Sequence, residues 1–139
     1  ALTLVTAFSS VSAEPPQILV CLNQSADTGE NIDQNQRFAV NILNATQQDV
    51  SNNFSGGSSQ EDRFANTAWH FGTTGVPILN DSIMSMECKV IEKIRAGTHW
   101  VIIGEVQEAS CRSGEPLLYF RSHYRQLADT VSETATAAD

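Results

Sequence analysis

Residues 96–106 read "AGTHWVIIGEV" and join a turn to a strongly apolar run. Val101, Ile102 and Ile103 are β-branched, which is typical of a buried strand. Gly97 and the two residues that follow it supply the turn that feeds this strand. The stretch therefore predicts a strand over residues 99–106, with His99 at the point where the strand begins.

His99 has two interpretations at this position. A half-buried histidine whose ring is satisfied by a neighbouring carbonyl is the commoner case, and the stretch alone favours it. The mouth of a strand is also where a rigid scaffold meets a ligand, so His99 is alternatively a residue that contacts a ligand. The rest of the chain has to decide between them.

Most other periodic segments are also short, β-branched and bounded by turn residues, which favours an antiparallel sheet or barrel. Residues 84–90 alternate between a core face and a face that we expect in water, the latter carrying Ser85, Glu87 and Lys89. The predicted strands are residues 17–23, 38–43, 84–90, 99–106 and 117–120.

Two segments predict helices. Residues 26–36 start beside the capping candidates Ser25 and Asp27, and their polar composition indicates a short surface helix. Residues 46–54 place Val50 and Phe54 on one face. Residues 55–62 read as a flexible loop, and residues 128–139 as a polar tail with too little apolar content to pack. A single domain over residues 1–127 is expected, because the length suits one core.

The charge excludes two classes of partner. The chain has 139 residues, a net charge of −8 and only 8 lysines and arginines. Without a basic surface we expect neither nucleic acid nor membrane lipid as a partner. The longest apolar run, residues 18–22, is far too short to cross a bilayer.

The cysteines point to a reducing compartment, so we expect a cytoplasmic protein. The chain has three of them, which cannot all pair, and their spacing matches no zinc or CxxC pattern. Four N-x-[ST] triplets, beginning at residues 23, 44, 53 and 80, allow the alternative of a secreted ligand-binding β-barrel. Chance explains such triplets better in a chain rich in Asn, Ser and Thr.

Polar side chains next to the first strand could hold a ligand. Ser9, Ser10 and Ser12 precede it, and either satisfy their own turn or bond the polar edge of a flat heterocycle. Asn23 and Ser25 follow it and lead into a helix start, where backbone N–H groups either are capped or hold a phosphate.

Arginines beside aromatics suggest a ligand with a phosphate and a ring. Arg63 and Phe64 follow the predicted loop, and Arg121, Tyr124 and Arg125 follow the last strand. Ordinary surface stacking of arginine on an aromatic is at least as good an explanation.

Other chemistries lack their motifs. No glycine-rich loop of the Walker or Rossmann type occurs, and no G-x-S-x-G elbow supports serine hydrolysis. His70, His99 and His123 are not spaced as metal ligands, so no metal is expected.

The ordered stretches together resemble the flavin reductase family, whose fold is the FMN-binding split barrel. The resemblance covers residues 7–127, and the order of its pieces is more specific than any piece alone. It rests on "SVSAEPPQILVCLNQSA" (10–26), "RFAVNIL" (37–43), "DRF" (62–64), "GTHWVIIGEV" (97–106) and "PLLYFRSHYR" (116–125). It implies a mainly β, antiparallel Greek-key split β-barrel with a few short helices.

The resemblance also implies a function. It suggests an NADH-dependent reductase that passes reduced FAD or FMN to a separate oxygenase of the 4-hydroxyphenylacetate 3-monooxygenase type, with the barrel as a homodimer. A flavin-binding protein of the same fold without turnover is the alternative. By the same resemblance, His99 and Tyr124 serve the nicotinamide, with no residue acting as acid or base. Flavin-binding residues are then Ala7, Phe8, Ser9, Ser10, Ser12, Asn23, Ser25, Ala26, Arg63 and Phe64.

Two departures from the family pattern are visible. The family motif before the late strand is G-D-H, whereas this chain has Thr98 in the middle position, which leaves His99 in place. Family members also carry a hairpin with a glycine before the S-V-S segment, and here "ALTLVT" (1–6) runs directly into Ala7. We therefore expect residues to be missing near positions 5–7, and also at the N-terminus.

Overall fold

The long hairpin made by the predicted "GTHWVIIGEV" strand and its predecessor is the centre of the structure. The computed structural model describes residues 1–129, and its main sheet is antiparallel, with the order β1-β2-β7-β6-β3. Two further pairs, β4-β5 and β8-β9, lie outside it. The strands are β1 (Phe8–Ala13), β2 (Pro16–Asn23), β3 (Arg37–Ile42), β4 (Trp69–Phe71), β5 (Pro77–Leu79), β6 (Met84–Ala96), β7 (His99–Cys111), β8 (Leu118–Phe120) and β9 (His123–Arg125). The helices are α1 (Thr28–Asn35), α2 (Gln48–Ser55) and α3 (Gln60–Ala65).

The turn between β6 and β7 has two residues, Gly97 and Thr98. Ala96 and His99 form the last pair before it, and Gly97 adopts a φ of 57°, which glycine reaches without strain. The prediction of a turn here is confirmed. Both strands are longer than expected, with 13 residues each, because β-bulges keep them paired as they bend.

The main core lies between α1 and one face of the sheet. Ile102 and Cys88 are fully enclosed at its centre. A Cβ on Gly104 would stand 2.5 Å from Cζ of Phe38, so the β7 backbone accepts the phenyl ring only where the side chain is hydrogen. The buried members are Ile18, Val20, Leu22, Ile32, Phe38, Met86, Cys88 and Ile102.

A second apolar cluster joins the helices to the β4-β5 pair. Leu2, Phe54 and Leu79 are its buried members, and Val50 packs against them. The expectation that Val50 and Phe54 share a face is thus confirmed.

The expectation that Ser85 and Glu87 face water is wrong. Ser85 is 6% and Glu87 8% exposed, because the chain from β4 to β5 covers that face of β6. Asn41 Oδ1 accepts hydrogen bonds from the Ser85 hydroxyl (2.9 Å) and from the Leu79 amide (3.1 Å). Both faces of β6 are therefore buried at this point.

The expected loop over residues 55–62 is also partly wrong. Helix α3 begins within it at Gln60, since the Ser59 hydroxyl accepts the Asp62 amide (3.1 Å) and caps the helix. Strands β1, β4, β5 and β9 and helix α3 were not predicted from the sequence.

The expectation that residues are missing near positions 5–7 stays a prediction; Thr6 forms a bend there, and the chain leads from it into β1. None of the described helices has the length and hydrophobicity that a bilayer crossing requires. The single domain over 1–127 stays a prediction, and of the predicted tail, residues 130–139 lie outside the described part.

Candidate functional site

Asn23 and His99 form a cross-strand pair at one end of the main sheet. β2 and β7 are antiparallel, so the last residue of β2 lies opposite the first residue of β7. The apolar run of β2 and the turn before β7 set this register, because a slip by one residue would move Val20 and Ile102 out of the core. Two residues 76 positions apart, both predicted to be functional, thus become neighbours.

His99 is half-buried, with its ring held by Thr98. The Thr98 Oγ1 and His99 Nδ1 atoms are 2.8 Å apart. The partner of the ring is therefore a hydroxyl rather than the carbonyl that the structural interpretation of His99 expected. Thr98 also occupies the position at which the family motif has aspartate, so its hydroxyl is a neutral partner for the ring.

The segment after β2 folds into a tight turn that leads to α1. Asn23 Oδ1 accepts hydrogen bonds from both the amide and the hydroxyl of Ser25, each at 2.9 Å. The Ala26 amide donates to the Asn23 carbonyl at 3.0 Å. This is an Asx turn, which explains why Asn and Ser stand at these two positions. Asn23 and Ser25 remain exposed.

The start of α1 offers further polar groups. Asp27 occupies the N-cap but makes no side-chain capping bond, and the first-turn amides of a helix have no intrahelical acceptor. Thr28 Oγ1 is buried without a hydrogen-bond partner in the described part of the chain. Asp27 and Glu30 place negative charge here, which opposes a phosphate and leaves neutral polar groups as the better ligand contacts.

The predicted serine segment lies along the other edge of β2. Ala7 and Phe8 lead into β1, and Phe8 and Ser9 pair with Val20 and Leu19. The Ser9 hydroxyl donates to the Ser10 carbonyl at 3.1 Å, and a bulge between Ser10 and Ser12 interrupts the pairing. With β2 between them, β1 and β7 are about 10 Å apart, twice the usual strand spacing.

Arg63 and Phe64 contact a different part of the molecule. The Arg63 guanidinium donates to the carbonyls of Leu2 (2.6 Å) and Gly56 (3.2 Å). Phe64 packs edge-to-face on Trp69, with ring centroids 5.0 Å apart. In residues 1–129 no hydrogen bond or aromatic contact joins this pair to Asn23 or His99, so their flavin role stays a prediction.

Tyr124 lies on β9 and is bound to α2. Its hydroxyl donates to Asn52 Oδ1 at 2.8 Å and is 3.0 Å from Ser51 Oγ. Its expected place beside the nicotinamide stays a prediction too.

A cavity of about 390 Å³ opens between the N-terminal segment, α1 and β3. Thr28 and Leu22 line it, but none of the predicted site residues does. No group of three or more His, Cys, Asp or Glu that could hold a metal occurs within residues 1–129.

Gln24 joins the two strand ends, and nothing in the sequence singled it out. Its side chain reaches the carbonyl of Gly97, 73 residues further along the chain, at 3.0 Å. Since both partners are distant in sequence and one is a backbone atom, no sequence pattern marks this contact.

The structure is that of a small antiparallel β protein with polar side chains at one end of β2 and β7, and comparison with known proteins gives its class. The model of the flavin reductase like domain matches residues 2–128, and the chain belongs to that family. This confirms the resemblance, and with it the expected mainly β fold.

Individual relatives agree with the family. The chain is 41% identical over 133 residues to the FMN reductase (NADH) RutF of Pseudomonas syringae pv. syringae (strain B728a), covering 95% of this chain and 73% of that protein. A solved nitrilotriacetate monooxygenase component B homologue from Mycobacterium thermoresistibile superposes with a TM-score of 0.85 at 30% identity, over 94% of this chain and 75% of the other. The styrene monooxygenase flavin reductase of Pseudomonas putida S12 superposes with a TM-score of 0.83 at 27% identity, over 93% of this chain and 82% of the other.

Proposed function

We propose that the protein is an NADH-dependent flavin reductase that supplies reduced FAD or FMN to a separate flavin-dependent monooxygenase. The observation that carries the proposal is the pairing of Asn23 with His99, which joins a residue expected to hold flavin to the residue expected to hold nicotinamide. The family membership and the relative named FMN reductase (NADH) support both cofactors.

The residues present fit a flavin. Hydroxyls and amides suit the polyol chain and the polar ring edge, and the rim offers the exposed hydroxyls of Ser25, Ser9 and Ser10. We place the ribityl or phosphate part at Asn23, Ser25 and Ala26. The ring lies along the exposed segment 7–12, beside β2.

The chemistry asks for positioning more than for reactive side chains. A bound flavin would supply N5 as the acceptor for a hydride from nicotinamide C4, chemistry for which the chain need provide no nucleophile. The protein has to hold two rings face to face and exclude other geometries, which accounts for most of the rate gain in such a reaction. His99, which begins β7 opposite Asn23, is the residue assigned to the nicotinamide. No residue is assigned the role of a general acid or a general base.

The proposal of an oxygenase partner is supported by the names of the solved structures that the chain resembles. The two solved relatives are named as monooxygenase components or reductases. We propose a partner of the 4-hydroxyphenylacetate 3-monooxygenase type, acting on aromatic compounds in the cytoplasm. A homodimer is also proposed, supported by the exposed apolar side chains of Phe8, Val11, Ile91 and Ile94 on the strands of the main sheet.

The test is the rate of NADH absorbance loss with FAD, with FMN and without flavin. His99→Ala is compared with His123→Ala, whose ring is exposed on β9 and has the Arg121 carbonyl as its one hydrogen-bond partner among the described residues. We expect flavin-dependent oxidation in the wild type, a loss of about tenfold or more in kcat/KM for His99→Ala, and a change within about twofold for His123→Ala.

Other results would replace the proposal. Tight flavin binding without NADH oxidation would establish the non-catalytic flavin-binding protein. Absence of any flavin affinity, together with attached sugar on protein from a secreting host, would favour the ligand-binding barrel.

A further inference from the structure

Gln24 stands between two residues assigned to flavin and is bonded to the turn that carries His99. Its amide N–H donates to the Thr98 carbonyl at 3.0 Å. Its side-chain Nε2 donates to the Gly97 carbonyl at 3.0 Å and lies 3.5 Å from the His99 carbonyl. One residue therefore holds the three consecutive carbonyls of the turn, and its own side chain is half-buried in doing so.

The turn has little else to hold it in one place. It is the two-residue end of a long hairpin, Gly97 and Thr98 are both exposed, and Gly97 has the conformational freedom of a glycine. The ring of His99 is held by Thr98, a residue of the same turn, at 2.8 Å. A shift of the turn would therefore carry both the ring and its hydroxyl partner with it.

The other neighbours of Gln24 lie in the segment assigned to flavin. Asn23 and Ser25 are fixed to each other by the two bonds to Asn23 Oδ1, independently of the Gln24 side chain. Loss of the Gln24 side chain would leave that Asx turn intact. The turn before β7 would lose both of its side-chain bonds to the flavin segment.

We propose that Gln24 is a positioning residue that sets the place of His99 relative to the flavin segment. The inference rests on the proposed function, and Gln24 acts through the turn rather than by touching either ring. It follows that removing the amide weakens NADH use more than it weakens flavin binding. If Gln24 only stabilised the fold, removing its amide would instead lower the stability of the protein and leave the kinetics of the folded enzyme unchanged.

The test uses Gln24→Leu, which has a similar volume and no donor, and Gln24→Arg, which restores donors toward the turn carbonyls. Gln107→Leu is the control, because Gln107 lies on β7 itself, eight residues beyond His99, is exposed, and among the described residues its side chain hydrogen-bonds only to Glu105 (3.4 Å). If Gln24→Leu does not fold, Gln24→Glu keeps the side-chain length and removes both donors. Each variant is assayed for NADH KM and kcat, for flavin affinity by fluorescence quenching and for thermal unfolding.

For Gln24→Leu we expect NADH KM to rise by about threefold to tenfold, with flavin affinity within about twofold of wild type. Gln24→Arg should return KM to within about twofold of wild type, and Gln107→Leu should not change it. A readout independent of turnover is the NMR signal of the His99 ring in the ligand-free protein, which should move in Gln24→Leu and not in Gln107→Leu.

Two outcomes overturn the inference. In an active wild type, unchanged KM and unchanged His99 signals in Gln24→Leu would show that the turn holds its place without the amide. A wild type that oxidises no NADH with any flavin would remove the proposed function, and this inference with it. The two failures are distinguished by the wild-type assay alone.

Discussion

Glu87 and Glu108 are paired directly across β6 and β7, yet only Glu87 is buried. Its carboxylate accepts hydrogen bonds from the Thr74 amide and hydroxyl, both at 2.7 Å, and from the Thr73 amide at 3.3 Å. Glu108 stays in solvent. The difference arises because the chain between β4 and β5 folds over Glu87, and the carboxylate in turn anchors that segment to the main sheet.

Glu87→Gln should destabilise the protein by about 1–3 kcal/mol, because the amide replaces one accepting oxygen with a donor that faces N–H groups. Urea unfolding gives the free energy. Glu108→Gln is the matched control on the opposite strand, with an expected effect within about 0.5 kcal/mol. Equal effects of the two substitutions would contradict the anchoring role.

The same carboxylate makes stability depend on acid pH. Burial acts to raise the pKa of Glu87, but the hydrogen bonds from Thr74 and Thr73, with a further contribution from His70, hold it below its ordinary value. The unfolded chain then binds the proton more readily, so the contribution is complete above the unfolded pKa and is lost as pH falls through the folded one. Unfolding measured from neutral to acid pH should show this loss in the wild type and a smaller one in Glu87→Gln. Identical profiles would rule the contribution out.

Gly104→Ala should cost about 1–3 kcal/mol of stability, since the new methyl group would overlap the Phe38 ring and Cβ of Cys88. Gly57→Ala is the control, because nothing lies within 4 Å of a Cβ built there. Thermal or urea unfolding of both variants checks the prediction. A neutral Gly104→Ala would mean that the ring moves aside freely.

The cysteines should differ sharply in reactivity. Cys111 is exposed, whereas burial raises the pKa of the Cys88 thiol to about 12 and shields it from reagents. Under native conditions a thiol reagent should modify Cys111 at least about a hundredfold faster than Cys88, which reacts on unfolding. Mass spectrometry of the labelled peptides identifies the sites. Cys111→Ser should remove the fast phase, and its survival would refute the assignment.

The local parts of the fold were predictable because their signals are local. The apolar run of β2, the turn at Gly97 and the shared face of Val50 and Phe54 all follow from residues close together in sequence. The burial of Glu87 was not predictable, since it depends on a three-residue strand pair that carries almost no periodic signal.

The residues of the candidate site likewise fall into those that could be predicted from the sequence and those that could not. Asn23, Ser25 and His99 could be proposed from their places at strand ends, and the register then brought them together. Whether Arg63 and Tyr124 join them depends on how α3 and β9 pack, and the structure gives both side chains other partners. Gln24 was invisible because its partners are carbonyls of a distant turn.

β2 lies between the strand of serines and the strand of His99, so hydrogen bonds across one shared strand set the distance between them. Such spacing is among the least compressible dimensions of a protein, whereas short helices and loops yield first. Moderate pressure, or heating short of unfolding, would therefore alter the α2 and α3 region before it altered this separation. The strands that carry the serines and His99 would keep their mutual distance across a wide range of conditions.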